Sequence, residues 1–322
     1  MLTRRAALTA LAGLFATRGA RSQSFPSRTV SIVVPYPAGG PVDAMARLIA
    51  QMVAADLRQT MTVDNRSGGA GVIGSLAVAR AEPDGHTLVL GTNQTHATNQ
   101  SLLKNCPYEA VRDFAPVAGL SEIPHVLVAR KTLRMDRVAD LVTAAKAMPD
   151  NFYYGSTGVG SASHLAAELF KSRAGCDIRH VPFRGAAPMV TEMLAGRIDV
   201  SFATLPSVIA QIEAGALKAL AVASARRAAL LPQVATLAEF GIAGVEADAW
   251  FALFAPARTP PAVTGRLYAA ISTALSAPPA HEAIARQGMT LSLRPPAEVA
   301  AWLPGEVSKW AAVIKAAGVV VE

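Results

Sequence analysis

The sequence predicts an α/β protein of two lobes, and three observations carry that reading. Short β-rich runs alternate with helix-periodic runs between residues 29 and 91, and such alternation builds a sheet covered by helices. The same alternation resumes after His125. At 322 residues with 52% apolar side chains, the chain can also fill more than one core.

A strand over 29–34 leads to a helix over 41–58. In that helix Val42, Met45, Ile49, Met52 and Val53 share one stripe while Asp43, Arg47 and Gln51 lie elsewhere, the pattern of a helix packed on a sheet. A strand over 61–65, a helix over 71–80 and a strand over 87–91 complete the first series. The second series runs strand 126–129, helix 136–148, strand 152–155, helix 161–173 and strand 178–182, extended by strands near 199–203 and 219–223. The end of the chain reads mainly as helices, including 261–275 and 296–317.

Residues 1–22 read as a removable export signal. Arg4 and Arg5 form a positive start, residues 6–17 a short apolar core, and Ala20, Arg21 and Ser22 a small-x-small cleavage pattern. A core of ~12 residues is too short to cross a ~30 Å hydrocarbon layer. Thr3, Arg4 and Arg5 also permit a twin-arginine route. Arg4, Arg5, Arg18 and Arg21 lie in a stretch without acids and account for four units of the formal net charge of +7. The bases that follow are scattered without interleaved aromatics, so no nucleic-acid partner is expected. Cys106 and Cys176 are too few for a disulfide framework, and with six dispersed histidines they give no metal-ligand spacing. They read as two unpaired thiols packed as small hydrophobes, one disulfide being the alternative.

Two loops set glycines immediately before a helix. The first runs Pro35, Tyr36, Pro37, Ala38, Gly39, Gly40, Pro41, Val42, Asp43; the second runs Ser156, Thr157, Gly158, Val159, Gly160, Ser161, with Ser163 and His164 in the next turn. Helix N-termini leave free N–H groups and about half a positive charge, so both loops are candidate anion sites, and facing each other they would hold a carboxylate between them. The plainer reading of each is a tight turn with a capped helix, Asp43 serving the helix dipole and His164 a structural hydrogen bond. Gly69 to Gly74 match the dinucleotide pattern GxGxxG, but the following strand ends Gly91, Thr92, Asn93 without the acid that would hold a ribose. No GxSxG elbow occurs, and Ser161 with His164 lacks an orienting acid, so no catalytic residue is expected.

From about Phe25 onward the chain resembles the Bug-type periplasmic solute-binding proteins of tripartite tricarboxylate transporters. The resemblance is carried by Phe25, Pro26, Ser27, Arg28; by Pro35 to Asp43; by Asp64, Asn65, Arg66; by Pro83, Asp84, Gly85; and by Tyr108 with Asp113, Phe114, Ala115, Pro116. Further matches are Ser161, His164, Leu165, Glu168, Leu169, Phe170; then Val181, Pro182, Phe183, Arg184, Gly185; then Leu205, Pro206, Ser207; and Trp250 with Leu253, Phe254, Ala255, Pro256. It implies a type II periplasmic binding protein fold with mixed, mostly parallel sheets, lobe one from 23–124 and 251–322, lobe two from 125–250, and a ligand cleft between them. Cys106 and Cys176 then fall in different lobes.

The implied function is capture of a small organic carboxylate, without reaction or cofactor, by a periplasmic monomer that serves membrane transporter subunits or a signalling partner, the alternative from another class being an exported enzyme acting on a small carboxylate. The implied site comprises Tyr36, Ala38, Gly39, Gly40 and Asp43; Thr92, Asn93 and His96; Ser156, Thr157, Gly158, Gly160, Ser161 and His164; and Ala203, Thr204 and Leu205. The chain departs from the family at Phe183, Arg184, Ala203 and Thr204, where relatives often have tyrosine, lysine and an acid followed by an amide. If the last pair faces the cleft, the missing acid disfavours a ligand ammonium, so plain mono- or dicarboxylates are expected over aspartate and glutamate.

Overall fold

The computed structural model describes residues 25–149 and 151–319, so the proposed export signal lies outside the described residues. The first α/β series forms β1 (Val30–Val34), α1 (Pro41–Leu57), β2 (Met61–Asn65), α2 (Val72–Ala79) and β3 (Thr87–Thr92). Val42, Met45, Ile49 and Val53 of α1 are buried, and each fully covered side chain contributes roughly 1.5–3 kcal/mol. A π-turn, Gln94–Thr98, and a short α3 (Asn99–Leu102) lead to a ten-residue β4 (Phe114–Ile123).

β4 runs into the second series: β5 (His125–Arg130), α4 (Val138–Ala147), β6 (Tyr153–Ser156), α5 (Ala162–Ala174), β7 (Arg179–Pro182), α6 (Ala186–Leu194), β8 (Val200–Thr204), α7 (Leu205–Glu213) and β9 (Leu217–Val222). The chain then returns through β10 (Ala249–Pro256) and closes with α8 (Pro261–Leu275), α9 (Pro278–Arg286), β11 (Thr290–Arg294) and α10 (Pro296–Ala317).

Two sheets result. The first has the order β11-β4-β10-β3-β1-β2 and the second β7-β6-β8-β5-β9. Both are mixed: β1 pairs in parallel with β2 and β3, and β6 with β7 and β8, whereas β10, β11 and β5 pair antiparallel with their neighbours. Parallel pairing is therefore confined to one side of each sheet. The other side is antiparallel because β4 leaves the first sheet and β10 returns to it beside β4, with Ala249 opposite Ile123 and Trp250 opposite Glu122.

β4, β10 and β11 lie where the sequence pattern gives no strand. All eight residues of β10 are buried, so it lacks alternation, and β4 carries Pro116 and Gly119. Behind the crossing strands α10 packs on β4 and also on α5 of the second lobe. One apolar cluster accordingly joins Val89 and Phe254 to Leu165 and Phe170 through Trp310 and Ile314. Cys106 and Cys176 are free thiols, each half-buried.

Candidate ligand cleft

The two sheets point the ends of β1, β3, β6 and β8 at one another across an open cleft of about 580 Å³, within the usual range for small-molecule sites. On the first lobe, Gly39 takes φ +86°, a conformation open to glycine, and Gly40 precedes Pro41 at the start of α1. No side chain caps α1. Ala44 N–H donates to Gly40 O, the first intrahelical bond, and among the described residues no protein group accepts from Gly40, Val42 or Asp43 N–H.

Asp43 does not face the ligand space. Its carboxylate is buried and accepts from Gly39 N–H (2.9 Å), Arg47 Nε (2.9 Å) and Asn65 Nδ2 (3.0 Å), and Asn65 also donates to Tyr36 O. The Arg47 guanidinium holds the carboxyl down at about 2, outweighing its burial. Asp43 thus ties the loop to α1 and β2. Tyr36 OH pairs with Thr92 Oγ1 (2.7 Å) and donates to Gln94 Oε1; burial pushes the phenol up to about 12, so it stays a neutral donor.

The second-lobe loop is closed on itself. Ser161 caps α5 by accepting His164 N–H and donates to Gly158 O (2.7 Å), while Ser163 Oγ accepts Thr157 N–H (2.9 Å). Gly160 N–H donates to His164 Nδ1 (2.9 Å), and Gly158 N–H to Ser156 Oγ, which also meets His180 Nε2 at 2.6 Å. His164 and His180 stack at 3.9 Å. Burial pushes both imidazoles down to about 4, so they are neutral, as the Gly160 bond to Nδ1 requires. The α5 N–H groups left over are those of Ala162 and Ser163; Ala162 lines the cleft.

Of the residues expected at the site, Tyr36, Gly39, Gly40, Thr92, Asn93, Thr157, Ser161 and Thr204 line the cleft. The others do not. Ala38 is exposed on the first loop, Asp43, Ser156, Gly158 and His164 brace the two loops, and Gly160 packs against Leu102 of the opposite lobe, where an added Cβ would lie 2.6 Å from Leu102 Cδ1. His96 is a core residue stacked on Phe254 at 4.2 Å, its Nδ1 bonded to Thr95 Oγ1 and its pKa pushed by burial to about 3. Ala203 and Leu205 lie in the second lobe's apolar core with Val126 and Val208, which corrects the expectation that Ala203 faces the ligand.

The cleft nevertheless lacks an acid on its walls among the described residues. Asp199 pairs with Arg130 and accepts Tyr153 N–H, and Asp248 accepts from Ser224 Oγ, its buried carboxyl pushed up to about 6. Sequence reasoning missed a second set of lining residues. Ala186, Pro206 and Ser207 start α6 and α7, and Ile123, Ala249, Phe251 and Met289 form an apolar floor with Arg286 and Gln287 at its edge. A glycine before α6 and a proline in α7 were the available signals; the residues of β10 and those just before β11 offered none. The GxGxxG stretch is structural, since an added Cβ on Gly71 or Gly74 would meet Thr95 or Arg66 and Pro35 at 2.5–3.0 Å.

Comparison with known proteins agrees with this architecture. Residues 45–319 match the family described as the tripartite tricarboxylate transporter family receptor. The chain is 35% identical over 317 residues to protein BugT of Bordetella pertussis, covering 97% of each. The R. palustris protein Rpa4515, solved with adipate, superposes with a TM-score of 0.83 at 34% identity, covering 92% of this chain and 100% of that one. MatC from Rhodopseudomonas palustris, solved with bound malate, gives 0.79 at 33% identity, covering 90% and 100%. The chain belongs to the tripartite tricarboxylate transporter family of receptors.

Proposed function

We propose that this receptor works in the periplasm after removal of residues 1–22, captures a small organic carboxylate in the cleft without turning it over, and delivers it to membrane transporter subunits. The observation that carries the reading is the uncapped start of α1, where Gly40 and Val42 line the cleft with N–H groups that no protein group accepts among the described residues, beside walls that hold no acid among those residues. A carboxylate supplies the acceptors those groups need, and closing the lobes removes the water that screens the contact. Adipate and malate in the two solved relatives support the ligand class. Ser161 and His164 support binding over catalysis, because the serine caps a helix and the imidazole accepts a backbone N–H. Without an acid to meet an ammonium, acidic amino acids bind more weakly than plain carboxylates.

Native mass spectrometry of the protein purified from its host without unfolding tests the reading. A copurified organic acid is expected, and a neutral or cationic ligand would contradict it. Fractionation with N-terminal sequencing tests the location; an intact Met1 on cytosolic protein would remove the export step.

A further inference from the structure

The strands that join the lobes present a different surface on each face. Ile123 of β4 pairs with Ala249 of β10 and both line the carboxylate cleft; one residue away Glu122 pairs with Trp250, and alternate side chains of a strand point to opposite faces. Glu122, Pro124 and Asp248 accordingly line a second cavity, about 510 Å³, behind the crossing. Residues of β11 in the first lobe form one wall and residues 224–229 of the second lobe the other.

Asp248 stands at this crossing. Its backbone carbonyl accepts from Asn93 Nδ2 (3.0 Å), and Asn93 Oδ1 accepts Trp250 N–H (2.8 Å), so one cleft-lining amide is tied to the crossing strand on both sides of Ala249. Its carboxylate is largely covered and accepts only from Ser224 Oγ among the described residues. The charges around it do not balance it. Glu122 on β4 and Glu246 on its own segment repel it, and Lys309 on α10 attracts it but is bonded to Glu246 O (2.9 Å). On the cavity walls Arg294 is held by Glu122 and Arg227 by Glu239, while Arg226 is exposed and makes no bond to the carboxylate. Burial therefore dominates and pushes the carboxyl up to about 6.

Bending the crossing strands toward the cleft closes it and spreads their reverse face, which admits water to Asp248 and draws the two walls apart. A better-hydrated carboxylate binds its proton less tightly, so closure and deprotonation favour each other. We infer that Asp248 is a positioning residue for lobe closure, its ionised carboxylate favouring the closed form that holds the ligand and its protonated form the open one. The inference rests on the carboxylate reading of the cleft and adds to it a proton-linked control of release.

Titration calorimetry with adipate and with malate at pH 7, 6 and 5, on the mature wild-type protein, Asp248→Asn and Ser224→Ala, tests it. Asparagine stays uncharged at every pH, and protonation of the ligand cancels in the ratio of wild-type to variant affinity. That ratio is expected to exceed one at pH 7 and to fall up to about tenfold by pH 5, which lies one unit below the folded carboxyl value of about 6. Ser224→Ala removes the bond that lowers this value, so its affinity should begin to fall at a higher pH than the wild type's. A merely structural role for Asp248 would give a ratio that does not change with pH. A constant ratio, or one that rises on acidification, overturns the inference and leaves the carboxylate reading standing. Failure of the wild type to bind either acid at pH 7 overturns both.

Discussion

The β1–α1 and β6–α5 loops look alike in the sequence, each a strand end, a pair of glycines and a helix, yet they do different work. In the first, glycine and proline at the helix start supply no cap, and Asp43 reaches back to hold Gly39. In the second, Ser163, His164 and Ser161 accept from the N–H groups of Thr157, Gly160 and His164 in turn. The difference teaches that glycines before a helix make an anion site only where the following turn leaves the amides unpaired. The first loop is an open receiver and the second a rigid wall.

Glycine substitutions should break the comparison most strongly. Gly160→Val drives a branched side chain into Leu102 at φ +71° and should destabilise the protein by about 3 kcal/mol in denaturant unfolding. Gly39→Val meets nothing within 4 Å, so its strain of about 1–2 kcal/mol should leave the fold intact while carboxylate binding is lost in calorimetry. Equal stability losses in the two variants would erase the distinction. Next, Asp43→Ala strands Gly39 N–H and Arg47, and should cost about 2–3 kcal/mol together with ligand affinity.

The pH response should also separate the loops. His164 titrates at about 4 when folded and at about 6.5 when unfolded, so the unfolded chain binds more protons between those values. Stability is full above pH ~6.5 and falls toward pH ~4, by up to ~1.4 kcal/mol per unit for this group. His164→Gln should reduce that slope by this group's share, His180 keeping its own, in unfolding measured at pH 7, 6, 5 and 4.5. Asp43, depressed to about 2, contributes stability above its ordinary value near 3.8 that is lost only as pH falls toward 2, so the first loop should be insensitive across the histidine window.

The smallest effects concern the caps. Ser161→Ala should cost ~1 kcal/mol, whereas Gly40→Ser should gain a few tenths by capping α1 and yet weaken carboxylate binding by occupying an N–H. A Gly40→Ser protein that binds acids as tightly as wild type would show that these amides are not the receiver.

The sequence carried the outline of this molecule because strand and helix periods are local. The stripe Val42, Met45, Ile49, Val53, the proline that starts α1 and the Ser161 cap of α5 are written within one or two turns. The crossing strand β10 escaped because Ala249 to Pro256 is covered on both faces and has no alternation to read. The cleft's far end escaped for a related reason: Ile123, Phe251 and Arg286 are distant in the chain and become neighbours only through the order β11-β4-β10. Ala203 shows the converse failure. A substitution pattern at a strand tip says nothing about which face the side chain takes, and here it faces the core.

A crystal structure of the mature protein closed on a carboxylate that it binds tests the central claim most directly. The account predicts one carboxylate group of the ligand within hydrogen-bond range of the Gly40, Val42 or Asp43 N–H groups, with Ala162 and the Thr157 or Ser161 hydroxyls of the second lobe closed against the same ligand. An acid held away from α1, or by one lobe alone, would contradict it.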